Sequence, residues 1–434
     1  MSRVLAEAAA PAPRTAELTV GSTTELLEAL KPGRGARTIH LRAGRYVLDA
    51  PLVVPDGAEL VGEGVMRFDA GGVPEGFAPR TETVLVANAT READVVTLGD
   101  GTRLQQLRIE GAAPAASPGD QASGNVVVIA SRGPRDRVRA TLEQCEIVNH
   151  SASGIVPAGP SGRAIVVLTR NPGAGAPSHD GAQLAVAIDR SIVRNAVGSN
   201  SVFAINFASD GTIALDFLRN RLEGVLSMAG GVGPPDRVRG SSAVLRSRSN
   251  LYVNAGGAHP MGWQILGGSV APHAEIQGQG AASNLVRVES QDDRIEGYRL
   301  GIEAAAGRLV MRLPGTVLRN RGELLLRGIQ IRTVGDGAAD LSLHGALFAP
   351  GSGNETGPAA TTDAQDNVLR VSIEGSSGSG PRRNAYANAW LSGVADTANR
   401  NRLEIDGSPA EFARSNRGLD PPPDASFYPG AADR

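Results

Sequence analysis

Between Thr38 and Gly64 the chain reads TIHLRAGRYVLDAPLVVPDGAELVGEG, in which apolar and polar residues alternate in three short runs. Alternation with a period of two predicts half-buried strands. The breaks at Gly44 and at Pro55-Asp56-Gly57 predict tight corners between them. Just upstream, Ser22-Thr23-Thr24-Glu25 has the spacing of a capping box, with Leu26, Leu27 and Leu30 on one side and Gly33 as a stop, which predicts a short helix over about 23–31.

Beyond this point helical periodicity almost disappears. Strand-period segments follow one another, among them NVVVIAS, TLEQCEIVN, RAIVVLTR, LAVAIDRSIVRN, TIALDFLRNRLEG, SAVLRSRSNLYVN and NVLRVSIEG. Aligned on their turns, they form a loose repeat of roughly 30 to 45 residues, apolar then polar with an Arg/Asn/Ser corner. One such unit cannot bury its apolar side alone, and stacking on the next copy supplies the missing surface. Asn195, Asn220, Asn250, Asn320 and Asn401 recur at the corners. Asparagine tolerates left-handed backbone angles, and its amide can bond from one turn to the next, so this column reads as structural before it reads as a ligand site.

The opening stretch, GSTTELLEALKP followed by Ile39, Leu41, Gly44, Tyr46, Leu60, Gly62 and Gly64, resembles the first turns of the parallel β-helix proteins of the pectin-lyase-like superfamily. That resemblance implies an all-β fold, a right-handed single-stranded parallel β-helix (solenoid) with a short N-terminal capping helix. The expected organisation is an extension over 1–20, the β-helix over 21–408, and a Pro-rich tail or cap over 409–434. Phe412, Phe427 and Tyr428 would fold back there, and Pro421-Pro422-Pro423 forbids a strand. Insertions rich in Gly, Ala and Pro at 112–124, 169–182, 229–242, 349–366 and 375–383 either wall a groove or ornament the surface.

Composition narrows the function classes. With 43 basic and 45 acidic residues the chain lacks the basic footprint of a nucleic-acid binder. The first twenty residues lack a signal-peptide core, and no apolar run is long enough to span a bilayer. The expectation is therefore a cytoplasmic protein or a processed secreted form. Cys145, the sole cysteine, sits at an alternating strand position and reads as buried packing.

The superfamily resemblance implies a polysaccharide lyase or glycoside hydrolase acting on an exterior, carboxylate-lined face. Lys31 is the sole lysine and lies in the predicted helix, which leaves arginine, histidine or a carboxylate as base. The densest candidates are His179, Asp180, Asp189, Arg190, Asp210 and Asp216, with Arg219, Arg221, Tyr252 and Trp263 as substrate contacts. Asp189 and Asp216 look like equivalent positions in successive turns, a column that Glu143 and Gln105 continue. Paired carboxylates there would divide acid and base roles or hold a calcium ion. They equally pair with Arg190, Arg219 or Arg221 as a surface ladder, and Asp210-Gly211 equally forms an ordinary turn.

Asp292-Asp293 and Leu343-His344-Gly345 only partly match the polygalacturonase pattern, lacking its first glycine, its separations and its terminal lysine phrase. Phe203 and Phe207 share strand parity and read as interior stacking, while the phrase around Trp263 either floors a small-molecule pocket or buries a kink. Beyond calcium at Asp189 and Asp216, no cofactor is indicated. Two other readings stand beside the enzyme: a non-catalytic binding scaffold, and a cytoplasmic tailoring enzyme or isomerase on a small molecule.

Overall fold

The computed structural model describes residues 16–406 apart from 32–36, 89–93, 112–123, 151–161, 170–178, 196–199, 232–237, 255–260, 268–284, 298–299, 313–316, 321–326, 343–346, 349–367, 373–376, 379–390 and 393–401, with side chains up to Ile295. Most of it is strand, laid down in large parallel sheets as in a parallel β-solenoid.

The pairings repeat in a fixed order, which defines three faces. Face one stacks Arg137–Glu143, Gln183–Asp189, Thr212–Leu218, Ser242–Arg248 and Leu285–Gln291, each parallel to the next. Face two stacks Glu146–Asn149, Ile192–Asn195, Arg221–Glu223, Leu251–Val253 and Arg294–Gly297. Face three stacks Val127–Ala130, Ile165–Thr169, Asn200–Asn206, Val225–Gly230 and Met261–Gly267. Earlier strands extend face two back to Gly44–Leu48, face three to Leu52–Val54 and face one to Ala16–Val20, so the segment expected as an extension ends in a strand of the sheet. Backbone pairing continues forward to Arg402–Asp406. The expected tail cap, with Phe412, Phe427 and Tyr428, lies outside the described residues, as does Leu343-His344-Gly345.

Alternation on face one places one side chain in two inside. Leu184, Val186 and Ile188 stack beneath Ile213, Leu215 and Phe217, all essentially without solvent exposure. Each such residue contributes about 1.5–3 kcal/mol by leaving water, and stacking on the neighbouring turns completes its cover. Cys145 belongs to this core, where burial pushes its thiol up to about 12. The helix, Thr23–Ala29, starts where expected: Ser22 Oγ accepts from Glu25 N at 3.2 Å, and the Glu25 carboxylate accepts from Gly21 N at 2.6 Å. Its Leu26 is fully buried in the same core.

The corner from face one to face two follows one rule from Gln106 onward. It has two residues, the first with a left-handed backbone (Gln106, Gln144, Arg190, Arg219, Ser249, Asp292) and the second pointing inward (Leu107, Cys145, Ser191, Asn220, Asn250, Asp293). The left-handed residue thus precedes the asparagine, and what asparagine supplies is its inward side chain. Ser191 N donates to Asn220 Oδ1 at 2.8 Å, Asn220 N to Asn250 Oδ1 at 2.7 Å, and Asn250 N to Asp293 Oδ1 at 2.7 Å. Each corner N–H, buried where no water reaches, is satisfied by the next turn's side chain. Asn195 sits elsewhere, at the end of a face-two strand, Asn320 is described by backbone alone, and Asn401 lies outside the described residues.

Between Glu59–Val61 and Thr83–Ala87 the coil carries an insertion that the strand pattern did not predict. An antiparallel hairpin, Met66–Phe68 with Pro74–Phe77, turns on Asp69, whose Oδ1 accepts from Gly71 N and Val73 N. Met66 and Phe77 pack on Ile192 of face two. Among the described residues no helix is long and apolar enough to cross a membrane.

Candidate functional site

A groove of about 600 Å³ lies on the outside of face one, at the C-terminal ends of four successive strands. Alternation aims the outward residues of each strand into it: Asp189, Asp216, Arg246, Arg248, Glu289 and Gln291, with Leu218 as an apolar floor.

Register decides which of these groups meet. Asp189 pairs with Leu218, and Asp216 with Ala187, so the two aspartates are offset by one outward position along the strand instead of sharing a column. The expected column is otherwise real, because Gln105 pairs with Glu143 and Glu143 with Asp189. Its upper members are Leu218, Arg248 and Gln291.

Glu143 is committed: it accepts from Arg103 Nη2 at 2.5 Å, from Arg190 Nη2 at 2.6 Å and from Gln105 Nε2 at 3.0 Å. The Arg103 hydrogen bond leads the forces that hold its carboxyl below the usual range. Arg190 also reaches Asp189 Oδ2, at 3.0 Å. Asp216 Oδ1 meets Arg246 Nη1 at 3.4 Å in the open. Two groups stand apart. Asp189 Oδ1 is shielded from solvent yet has no hydrogen-bond partner, and among the described residues the Arg248 guanidinium forms no ion pair. The same holds for Arg219, which follows Leu218 at the corner and lies against Gly72 of the hairpin turn.

The other sequence candidates do not converge here. His179, Asp180 and Asp210 lie at the opposite, N-terminal edge of face one, a seven-residue strand and roughly 20 Å away. There His179 Nδ1 is 2.7 Å from Ser131 Oγ, and Asp180 Oδ1 accepts from Ser209 N, while Asp210 is a left-handed corner residue. Arg221 lies on face two, bonded to Glu223 at 2.7 Å. Tyr252 and Trp263 are wholly interior, edge to face with ring centroids 4.9 Å apart, so they pack the core and offer no sugar platform. Among the described residues no three His, Cys, Asp or Glu side chains gather to hold a metal, and the offset register removes the paired-carboxylate geometry on which calcium at Asp189 and Asp216 was expected.

Face three differs. Its outward residues Val128, Val166, Ile205, Ser227 and Ala229 are buried, and Phe203, expected inside, instead points outward beneath Arg163, whose guanidinium is 3.7 Å from the ring centroid. Ser227 Oγ donates to Asn200 Oδ1 at 2.6 Å. From residue 106 on, the long connections 111–126, 150–164, 170–182, 231–241 and 268–284 each join a strand of this face to a strand of a neighbouring face.

Comparison with family models, curated proteins and solved structures gives no match for this chain. Of the residues that line the groove, Asp189 and Asp216 are among the candidates drawn from the sequence. Sequence reasoning missed Arg246, Arg248 and Glu289, although the strand period carried them: they follow from aligning SAVLRSR and LVRVESQ with TIALDFL.

Proposed function

We propose that the chain is a carbohydrate-active β-helix protein whose face-one groove takes an acidic polysaccharide. The observation that carries this reading is the unpartnered Asp189 Oδ1 across the exposed Leu218 from Arg248, which forms no ion pair among the described residues. Two rungs of a sheet separate Asp189 from Arg248, about 10 Å, which matches the width of one sugar ring and its substituents. A uronic-acid unit brings what both groups lack: a hydroxyl to donate to the buried oxygen, and a carboxylate for the guanidinium. Cleavage on this scheme is β-elimination: Arg248 neutralises the carboxylate and so acidifies the adjacent C–H, and a water or hydroxide of the open groove takes that proton. The C–O bond to the leaving sugar breaks as the C=C bond forms, the departing oxygen taking a proton from water. The superfamily resemblance adds a right-handed coil whose N-terminal end is closed by the helix Thr23–Ala29, in keeping with the usual hand of parallel crossovers.

Titration calorimetry with a uronic-acid oligomer and a neutral oligomer of equal length tests the reading. Wild type is expected to bind only the acidic one, and Arg248→Ala to weaken it about tenfold or more. Equal affinity for both oligomers, or none for either, overturns it. Appearance of a conjugated double bond separates a lyase from the second reading, a non-catalytic binder. That second reading is favoured by Glu143, which is locked between two arginines and so is withdrawn as a proton donor.

A further inference from the structure

The corner ladder that runs through Ser191, Asn220 and Asn250 continues at Asp293 with a carboxylate where an amide would serve. Asp293 is about 1% exposed. Its Oδ1 accepts from Asn250 N at 2.7 Å and Asn250 Nδ2 at 3.1 Å, and its Oδ2 accepts from Ser290 Oγ at 2.6 Å. Among the described residues, the groups that face it from the strands packed around it are Ser247, Asn250, Ser290 and the Tyr252 phenol, none of them cationic. Its chain neighbours Asp292 and Arg294 are exposed, on the outside of the coil.

Buried charge is costly without a counter-charge, which no described residue supplies, and these neutral donors offset only part of that cost. An asparagine here would keep the acceptor for Asn250 N and carry no charge. Protonated aspartic acid is nearly the same object: Oδ1 still accepts, and the Oδ2 proton is donated to Ser290 Oγ.

We infer that Asp293 is a proton-controlled fastener inside the coil, which tightens the turns from Ser242 to Ile295 in acid and loosens them when it ionises. Burial, opposed by hydrogen bonds from Ser247, Ser290 and Asn250, raises its carboxyl to about 6. Because the folded value lies above the unfolded one, the stabilisation is full below about pH 4 and is lost as pH rises through about 6. Ser247 and Ser290 belong to strands whose outer side chains line the groove, so the same event acts on the groove's floor. The inference stands whether or not that groove takes a sugar.

Hydrogen exchange of the full chain without ligand tests it, with protection factors corrected for intrinsic exchange. Between pH 4 and pH 7 the strands Ser242–Arg248 and Leu285–Gln291 are expected to lose about a hundredfold in protection relative to Thr102–Gln105, which lies far from Asp293. Asp293→Asn is expected to abolish that difference and to match the acid state at both pH values. Equal pH dependence in the two regions of wild type overturns the inference and needs no variant to fold. So does an Asp293→Asn protein that retains the wild-type loss.

Discussion

Face one and face three are built from strands of similar length in the same coil, yet their outer surfaces have opposite characters. Outside face one, residues alternate between buried and accessible, as in Thr212–Leu218, where Ile213, Leu215 and Phe217 point in while Asp216 and Leu218 are open to solvent. On face three, Val225–Gly230 is buried at every position. A sheet covered on both sides selects continuous apolar runs, whereas one wetted on a single side selects alternation. The sequence carries this contrast openly: RAIVVLTR and GVLSMAGG are unbroken, and QLAVAID and TIALDFL alternate. The proposed ligand surface rests on this difference, since of these two faces the wetted one presents charged side chains in register to solvent.

The contrast is broken most severely by placing one charge on each surface. Val166→Asp, outward on face three at about 1% exposure, is expected to cost about 3 kcal/mol or more in chemical denaturation. Ala214→Asp, outward on face one, is expected to stay within about 1 kcal/mol of wild type. Similar losses at both sites would mean that the two surfaces are alike. A smaller effect sharpens the picture of the open face. Asp216→Asn removes the partner of Arg246 in a pair whose side chains are 50% and 57% exposed, and is expected to change stability by less than about 0.5 kcal/mol. A loss well above that in the same denaturation experiment would show the groove to be a structural salt-bridge ladder.

The repeat, the strands and the start of the helix were legible because each is written in local periodicity or local capping chemistry. The stacked parallel sheets followed from the repeat. The site was less legible because register is a long-range property: a two-residue offset between Asp189 and Asp216 is invisible until Ala187 is known to lie against Asp216. Tyr252 and Trp263 misled for a related reason, since strand parity alone does not say which side of a coil is the inside. Asp293 was hidden by its pairing with Asp292, which suggested a catalytic couple when one residue turns the corner outside and the other completes the interior ladder. Its signal was present in the corner dipeptides Arg190-Ser191, Arg219-Asn220 and Ser249-Asn250, which align with Asp292-Asp293.

Thiol labelling tests the division into an open and a closed outer face most directly. Cys145 is buried with its thiol pushed up to about 12, so the native chain provides a silent background. A cysteine at Ala214 is predicted to react with a soluble thiol reagent faster than one at Val166 by roughly a hundredfold or more. Comparable rates at the two positions, or faster reaction at Val166, would contradict the account.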